Sequence, residues 1–477
     1  MIAPESPDAA NPDFGQLSAA QLSTGLSIGS WTSVELTRYF LDRIAALNPG
    51  IHAVVGIEAD QALEQARQSD RRRAAGAPLG PLDGIPMTIK DAFRIKGYLS
   101  TYGYLMFKNY RPQNDCKLVR VLRDCGVVLI GRTAVPTGVF DWNCKNQIHR
   151  ECVNPIDRSR TPGGSSGGAA AALAAGLTPL ELGSDMNGSI RYPAHCCGIY
   201  GLRTTDGWLP IEDIGPEAFP AAFRHIATCG PMARNPQDID LMLAAFERSF
   251  PLPAAPSEPK QKLNIACSHQ ITGLNTDQST SDLFARMQSR LSDQGHSLSE
   301  IEPPFDWDSL YRDWGLIAGH EYTALIPRML RCNWFMRLYA NLVFQTRLGP
   351  GAFSEYFKLG MTSSTAQYEA ALQRRQQTYA DVDQFFSNYD LWMLPVSPSA
   401  AIPLSLCGKR IPTDSGEVEY LRYLGSYLGP TAMLGTPALA VPVGRDRNGL
   451  PVAVQIHGAR FSDRRLVQTV ARLSIQG

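Results

Sequence analysis

Apolar residues recur at helical spacing near the N-terminus of the chain. Leu36, Phe40 and Ile44 fall on one helix face, and residues 32–35 fit a capping box that would begin this helix. A second helix, polar over most of its surface, is predicted over residues 59–74. The first part of the chain is therefore predicted to be helical.

Short apolar segments alternate with helical ones along the rest of the chain. Segments that are apolar along their whole length are typical of strands in a sheet covered on both faces. The pattern therefore predicts an α/β fold with helices on both faces of the sheet. The predicted strands span residues 85–91, 127–130, 177–182, 263–267, 391–395, 438–443 and 452–456, and a further helix spans residues 118–125.

The middle of the chain is rich in glycine, serine and alanine. Residues 161–176 predict a flexible loop, an alanine helix and a glycine that ends it, and residues 183–189 predict a second tight loop. A proline-rich stretch, residues 251–259, divides the chain roughly in half. Residues 307–357 predict aromatic-rich helices. We expect these aromatic residues to form helix core, with the lining of an acyl or aromatic substrate pocket as the alternative for part of them.

The composition limits which partners the protein can have. The 477 residues carry 45 Lys and Arg against 45 Asp and Glu, so the formal net charge is zero. A neutral chain has no general attraction for nucleic acid or anionic lipid, because such binding rests on excess cations. The N-terminus lacks a signal-peptide pattern, and no run of about 18 apolar residues would span a membrane. Ten cysteines without a CxxC pair indicate a reducing compartment, so we expect a cytoplasmic protein with no nucleic-acid partner and no integral membrane segment.

Several common catalytic motifs are absent from the sequence. It has no Walker A phosphate loop and no GxGxxG dinucleotide fingerprint. The eight histidines are scattered without an HxxxH pair, so neither a zinc site nor a Ser-His-Asp triad has local support. We therefore expect a mechanism that needs no metal, no cofactor and no histidine.

Two serine-containing loops and one lysine remain as candidates for catalysis. The glycines of residues 163–168 allow unusual backbone angles and close approach. Ser189 lies in the second tight loop, where consecutive N–H groups can point at one spot and form an oxyanion hole. A nucleophilic serine needs a base, and the candidate is a neutral Lys90, because removal from water lowers the pKa of a lysine.

These motifs together carry a resemblance to a known family. The chain has GIPxxxKD at residues 84–91, RTPGGSSGG at residues 160–168 and GSIRxPA at residues 188–194. Their order and spacing resemble those of the amidase signature family. The similarity extends over roughly residues 15–470, which is nearly the whole chain.

The resemblance implies a role for each motif. Ser189 would be the nucleophile that forms an acyl-enzyme, and Ser165, at a cis peptide bond, would bridge it to the base Lys90. Together these residues would form a Ser-cisSer-Lys triad. Asp185 would orient the nucleophile loop or cap it. The remaining residues of the implied site are Met186, Asn187, Gly188 and Ser189, whose N–H groups would form the oxyanion hole, and Ser166 and Arg191 around the triad.

The resemblance also implies a fold and its division along the chain. We expect a single domain over residues 1–477 with a central mixed β-sheet flanked by helices on both faces. A helical lead-in would span about residues 15–75, and the catalytic core would span about 76–250 and 390–470. A helical excursion at about 300–375 would contribute to the substrate pocket.

Several positions depart from the family pattern, among them Thr137, His149-Arg150 and Ala432, and the departure nearest the nucleophile is Asn187. The usual loop before the nucleophile is Gly-Gly-Ser, whereas this chain has Asn187-Gly188-Ser189. Asparagine tolerates left-handed backbone angles better than most residues, so the turn can survive the exchange. Its side chain would nevertheless crowd or polarise the oxyanion hole, which predicts a specialised enzyme.

The leading function is hydrolysis of the C–N bond of a linear or cyclic amide, with a small molecule as substrate. One alternative is transfer of the acyl group to an amine, by an acyltransferase or an amide-forming biosynthetic enzyme. A further alternative is a catalytically weakened binding protein, because of Asn187. The motifs do not identify the amide, and they leave the assembly open, with a homodimer as one alternative.

Overall fold

A computed structural model describes most of the chain. It covers residues 12–475, apart from residues 213, 218–222, 254–259, 272, 303, 326–333, 335–337, 339–351 and 414–415. Its centre is one sheet of eleven strands, and β10 and β11 pair separately. In chain order the strands are β1 (Val54–Ile57), β2 (Pro86–Lys90), β3 (Val128–Thr133), β4 (Leu180–Asp185), β5 (Tyr200–Arg203), β6 (Thr228–Ala233), β7 (Asn264–Cys267), β8 (Ser297–Glu300), β9 (Leu391–Pro395), β10 (Ile411–Thr413), β11 (Gly416–Val418), β12 (Ala438–Arg445) and β13 (Pro451–His457).

The large sheet is mixed. Its strand order is β1-β3-β2-β4-β6-β5-β12-β13-β9-β7-β8. Strand β2 runs parallel to β3 and β4, and β7 runs parallel to β8 and β9. The other neighbouring pairs are antiparallel. The expected single α/β domain with a central mixed sheet is therefore confirmed.

Helices cover both faces of this sheet. Along β12, Leu439 and Val441 belong to one hydrophobic core and Ala440 belongs to another, because successive side chains of a strand point to opposite faces. Both faces are therefore buried, as the apolar strands predict. The helices are α1 (Ala19–Ile28), α2 (Ser33–Leu47), α3 (Ala59–Ala74), α4 (Lys117–Asp124), α5 (Gly167–Ala174), α6 (Arg191–Cys197), α7 (Pro236–Ser249), α8 (Gln278–Asp293), α9 (Trp307–Tyr322), α10 (Ala352–Met361), α11 (Thr365–Asn388), α12 (Tyr420–Gly425), α13 (Gly429–Met433) and α14 (Asp463–Val470).

Local sequence signals place several elements correctly. Helix α2 begins after Thr32, whose side chain accepts a hydrogen bond from the Glu35 N–H, while the Glu35 side chain accepts one from the Thr32 N–H. This is the predicted capping box. Helix α3 has the predicted bounds. Strand β1 is not predicted, and it adds a strand to a segment that the sequence predicts to be helical.

Two predicted features lie partly outside the described residues. Residues 254–259 of the proline-rich stretch 251–259 lie outside the described residues. Most of residues 326–351, within the aromatic segment 307–357, also lie outside them. Within the described helices, none combines the length and apolar character that a membrane span requires.

Candidate active site

Lys90 is the last residue of β2, and its side chain lies fully inside the protein. Its Nζ donates to Ser165 Oγ at 2.8 Å. It also donates to two atoms of Ser184, the hydroxyl Oγ at 3.0 Å and the backbone carbonyl oxygen at 3.1 Å. The end of β2, the glycine-rich run and the end of β4 therefore meet at this lysine.

Burial governs the proton affinity of Lys90. Loss of water lowers its pKa from 10.5 to about 7, and the negative charge of Asp185 opposes only part of this effect. The hydrogen bonds that Lys90 donates to described residues end on hydroxyl and carbonyl oxygens, and none of them ends on a carboxylate. Lys90 can therefore be neutral near pH 7, which is the form that a base requires.

The glycine-rich run that carries Ser165 is packed inside the protein. Ser165 and Ser166 are buried, and the peptide between Gly164 and Ser165 is cis. A Cβ at Gly164 would lie 2.5 Å from the carbonyl oxygen of Asp141 and 2.7 Å from the carbonyl carbon of Trp142. The sequence predicts a flexible loop here, but the structure uses the glycine for close packing of two backbone segments.

Ser189 lies between β4 and α6 and is partly exposed. The Ser166 N–H donates to its carbonyl oxygen at 3.1 Å, which ties the two serine loops together. Among the hydrogen bonds of the described residues none joins the hydroxyls of Ser165 and Ser189, but both residues line one cavity. Gly188 has a φ of 85°, and a Cβ there would lie 2.3 Å from Leu428 Cδ1, so this turn requires glycine.

Two tryptophans hold the peptide groups of the loop before Ser189. Nε1 of Trp314 donates to the carbonyl oxygen of Met186 at 3.3 Å. Nε1 of Trp142 donates to the carbonyl oxygen of Asn187 at 2.8 Å. Because the N–H and C=O of a trans peptide point in opposite directions, these bonds also orient the N–H groups that follow. The aromatic helix α9 therefore supports the candidate oxyanion hole.

The N–H groups of this loop differ in their use. The Gly188 N–H donates to Asp185 Oδ1 at 2.7 Å, so it is not available to an oxyanion in this arrangement. This differs from the expectation that the Gly188 N–H is part of the oxyanion hole. The N–H groups of Met186, Asn187 and Ser189 have no such partner in the described part of the chain. The candidate oxyanion hole therefore rests on these three groups.

Asp185 and Arg191 form a fully buried ion pair below the loop. Arg191 Nε donates to Asp185 Oδ2 at 3.0 Å, and Nη2 donates to Oδ1 at 3.1 Å. Burial alone would raise the pKa of Asp185. The charge and hydrogen bonds of Arg191, together with the charge of Arg203 and a hydrogen bond from the Ile190 N–H, outweigh burial and hold that pKa well below its ordinary value. Arg191 also donates to Thr431 and Gln455, each at 2.8 Å. Asp185 therefore caps the loop and orients it as well.

Asn187 does not have a left-handed backbone angle, whereas the next residue, Gly188, does, so the turn does not depend on the tolerance of asparagine for that conformation. The side chain of Asn187 is 5% exposed, and neither amide atom has a hydrogen-bond partner among the described residues. The amide packs beside Gly425 and Gly429, and a Cβ at Gly429 would lie 2.9 Å from its Oδ1. The amide is therefore covered by α12 and α13 and is not open to solvent.

Two cavities meet at Ser189 and share Val139, Phe140 and Met186. The larger has a volume of about 160 Å³ and the smaller about 30 Å³. Asp185 is the charged residue among the described residues that line the larger cavity. The other residues of the larger cavity are Ala92, Tyr102, Tyr104, Gly138, Ser165, Ser184, Ile211, Ile214, Gly215, Pro216, Phe223, Ala227, Thr228, Cys229 and Leu325, and those of the smaller are Asp141, Trp142, Asn187, Trp314 and Leu421.

Three residues of this site have contacts that the sequence does not predict. Ser184 carries a weak local signal, because it follows an apolar run and directly precedes the nucleophile loop. Trp142 carries no such signal. Trp314 belongs to the predicted aromatic segment, but nothing local predicts its contact with Met186, which is 128 residues away. Only the packing of α9 against the sheet brings that pair together. Trp314 of the aromatic segment lines the smaller cavity beside Ser189. This agrees with the alternative prediction that part of this segment lines a pocket.

His195 is buried beside the nucleophile helix but bonds to backbone groups. The Ala453 N–H donates to its Nδ1 at 2.9 Å, and its Nε2 lies 2.9 Å from the carbonyl oxygen of Ser399. This arrangement suits a packing role. In the described ranges, no three His, Cys, Asp or Glu residues cluster closely enough to hold a metal ion.

Comparison with known proteins identifies the family of this chain. The sequence model of the Amidase family matches residues 35–467. A glutamyl-tRNA(Gln) amidotransferase subunit from Roseiflexus sp. (strain RS-1) is 33% identical over 476 residues, which cover 95% of each chain. The protein of the same name from Acidothermus cellulolyticus is 31% identical over 489 residues, covering 97% of this chain and 94% of that one. The chain belongs to the Amidase family, so the resemblance inferred from its motifs is confirmed.

The fold is shared with solved structures of lower identity. The peptide amidase from Stenotrophomonas maltophilia superposes with a TM-score of 0.76 at 24% sequence identity, covering 97% of this chain and 98% of that one. At this identity the likeness shows the fold alone. Membership of the Amidase family, in turn, supports an enzyme that acts on amide C–N bonds.

Proposed function

We propose that the protein hydrolyses the C–N bond of an uncharged carboxamide through an acyl-enzyme on Ser189. The observation that carries this proposal is the buried Lys90, whose Nζ lies 2.8 Å from the hydroxyl of Ser165. Ser165 and the partly exposed Ser189 line the same cavity. A base, a relaying hydroxyl and an accessible nucleophile are the groups that acyl transfer to serine needs.

In the first step, Ser189 Oγ attacks the carbonyl carbon, and its proton passes through Ser165 to neutral Lys90. The N–H groups of Met186 and Asn187, with that of Ser189, stabilise the oxyanion; one important donor contributes about 3–4 kcal/mol. Lys90 returns the proton through Ser165 to the leaving nitrogen, so the amine departs and an ester remains on Ser189. Catalytic hydrogen bonds often tighten only when substrate binds, which fits the unformed bond between the two hydroxyls.

In the second step, water takes the place of the amine. Neutral Lys90 accepts a proton from this water through Ser165, and the water oxygen attacks the ester carbon on Ser189. The proton then returns to Ser189 Oγ as the acid leaves. The same three residues therefore serve both halves of the reaction.

The composition of the cavities favours an uncharged substrate. A volume of about 160 Å³ is close to that needed for a benzene ring. Its charged lining residue, Asp185, is already paired with Arg191. An amino-acid amide such as glutamine would bring an α-carboxylate, which needs a cationic partner when it is taken from water. The described lining residues of both cavities include no cation, so apolar amides fit better than glutamine.

A second candidate function is transfer to an acceptor other than water. It is favoured by the two relatives, 31% and 33% identical over nearly the whole chain, whose names denote part of an amidotransferase that acts on glutamyl-tRNA(Gln). In this chain, an amine that reaches the ester on Ser189 before water would make a new amide. The chemistry up to the acyl-enzyme is identical in the two cases.

The nucleophile is tested by labelling with a fluorophosphonate and locating the adduct by mass spectrometry. We expect the adduct on Ser189 and no adduct in Ser189→Ala, while Ser159→Ala, at an exposed turn, should label like the wild type. Amide hydrolysis by Ser189→Ala should fall by at least about 10³-fold. An adduct elsewhere, or full activity in Ser189→Ala, would refute the proposed role.

The acceptor is tested by competition. A simple aryl amide is supplied with increasing concentrations of hydroxylamine or a primary amine, and the products are separated. Hydrolysis predicts that free acid remains the main product at low amine concentration. A new amide that dominates at millimolar amine, with little acid formed in its absence, would favour the second candidate.

A further inference from the structure

A buried carboxyl group lies on the same face of the sheet as Lys90. Glu181 of β4 pairs in register with Thr88 of β2, and Lys90 follows two residues after Thr88. Residues two apart on a strand share a face, so these three side chains lie on one side of the sheet. Thr133 of β3, the register partner of Lys90, lies beside them. All four residues are fully buried.

Glu181 lacks the partners that usually stabilise a buried carboxylate. Its Oε2 accepts a hydrogen bond from the Leu182 N–H at 3.0 Å. The hydroxyls of Thr88 and Thr133 lie near the carboxyl, but Oε1 has no well-formed hydrogen bond among the described residues. A buried carboxylate in this condition is unfavourable unless a cation lies close by. The cation whose charge acts on it is Lys90.

Burial moves both groups towards their neutral forms. It raises the pKa of Glu181 from 4.5 to about 7 and lowers that of Lys90 from 10.5 to about 7. The other groups that act electrostatically on Lys90 are Asp185, which has its own ion pair, and the thiols of Cys144 and Cys229. Two ionisable groups that interact strongly titrate as a pair, not one by one.

We propose that Glu181 is a positioning residue that shares one proton with Lys90 in the resting protein. Two arrangements have the same proton count: protonated Lys90 beside ionised Glu181, and neutral Lys90 beside protonated Glu181. The proton changes its place between nitrogen and carboxyl oxygen, and no other bond forms or breaks. Its effect on turnover rests on the proposed function, whereas the sharing itself does not. Glu181 then contributes to the pH range in which Lys90 is a base.

Glu181→Gln removes the carboxylate and keeps the size of the side chain. Without the negative charge, the protonated form of Lys90 loses stabilisation, so the pKa of Lys90 falls. The acid limb of the pH profile of amide hydrolysis should move to lower pH by about one pH unit. Activity at pH 6, expressed relative to the plateau of each protein at pH 9, should then rise about fivefold over the wild type. A residue that only supports the fold would not move this limb.

A second measurement follows Lys90 without any turnover. With ¹³C-labelled lysine, the Cε resonance of Lys90 is identified by its loss in Lys90→Met and is then followed from pH 5 to pH 10. The wild type should titrate in two steps, as a coupled pair does, and Glu181→Gln should titrate in one step at lower pH. Glu321→Gln, which changes a buried glutamate on α9, should leave the Lys90 titration unchanged.

The outcomes separate the two proposals. A Lys90 titration with the same midpoint and shape in the wild type and Glu181→Gln overturns proton sharing, whether or not the protein hydrolyses amides. A shifted titration in a protein that turns over no amide supports sharing and counts against the proposed function. If Glu181→Gln does not fold, Glu181→Leu, which suits the apolar interior, should show the same downward shift, and an unshifted titration there refutes the proposal.

Discussion

Two fully buried cations near Ser189 are held in opposite ways. Arg191 forms an ion pair with Asp185, and this pairing keeps both groups charged. Lys90 donates to oxygen atoms of Ser165 and Ser184, and burial lowers its pKa to about 7. A buried cation in a close ion pair stabilises the structure, whereas a buried cation that donates to hydroxyl and carbonyl oxygens can release its proton near neutral pH.

Strand β4 connects these two centres. Its last two residues are Ser184 and Asp185. Ser184 accepts from Lys90, while Asp185 accepts from Arg191. The end of the strand that leads into the nucleophile loop therefore contacts both the buried Lys90 and the fixed ion pair.

The largest expected effect comes from removing the base. Lys90→Arg puts a cation that does not release its proton at this site, and Lys90→Met puts an apolar side chain of similar length there. Both variants should lose at least about 10³-fold in kcat/KM for an amide substrate, because proton transfer through Ser165 is no longer available. Lys96→Arg, at an exposed lysine, is the control and should act like the wild type. Near-normal turnover in Lys90→Met would remove Lys90 from the mechanism.

The next effect is on stability and concerns the fixed ion pair. Arg191→Met removes the cation that is hydrogen-bonded to buried Asp185 and leaves Arg203, whose Nε lies 3.8 Å away, as its remaining partner. We expect the free energy of unfolding in urea to fall by about 3 kcal/mol. Because pairing holds the folded-state pKa of Asp185 below its unfolded value, this stability is present above about pH 4 and is lost as the pH falls through the folded-state pKa.

A surface pair provides the matched control for that measurement. Arg71 and Glu64 form an ion pair on α3 with both side chains largely exposed. Solvent screens such a pair, so Arg71→Met should change the unfolding free energy far less than Arg191→Met. Equal losses in the two variants would contradict the structural role assigned to Arg191.

The smallest effect concerns Ser184. Ser184→Ala removes one acceptor of Lys90 and keeps the backbone carbonyl that also accepts from it. The protonated lysine loses more than the neutral form, so the acid limb of kcat/KM should move to lower pH by a fraction of a unit. The plateau at high pH should fall by only about threefold. A shift to higher pH, or a loss as large as that of Lys90→Met, would contradict this contact.

Sequence patterns predict those elements whose cause is local. The capping box at Thr32 and the polar helix α3 depend on neighbours in sequence, and both appear where they are expected. Strand β6 is not predicted, because it contains Gly230 and Pro231, which disfavour strands when judged from local sequence alone. Its pairing with β4 and β5, distant in sequence, decides its conformation.

For the site, the motifs predict the participants but not all of their contacts. Lys90 and Ser165 are close, and Ser189 lines the same cavity as Ser165, while their catalytic roles stay predictions. The contact of Trp314 with the loop carbonyl depends on how α9 packs, which no local pattern contains. The hydrogen bond from the Gly188 N–H to Asp185 depends on the rotamer of the aspartate, so the motif does not predict it either.

The most direct test of the account is the rate at which a fluorophosphonate labels Ser189 as a function of pH. Labelling needs the nucleophile and its base but no knowledge of the natural substrate. For the wild type, we expect the rate to rise through about pH 7 and then level off, following deprotonation of Lys90. In Lys90→Met the rate should be slow and independent of pH over this range. A wild-type rate that does not change from pH 5.5 to pH 9, or equal rates in the two proteins, would contradict the assignment of Lys90 as the base.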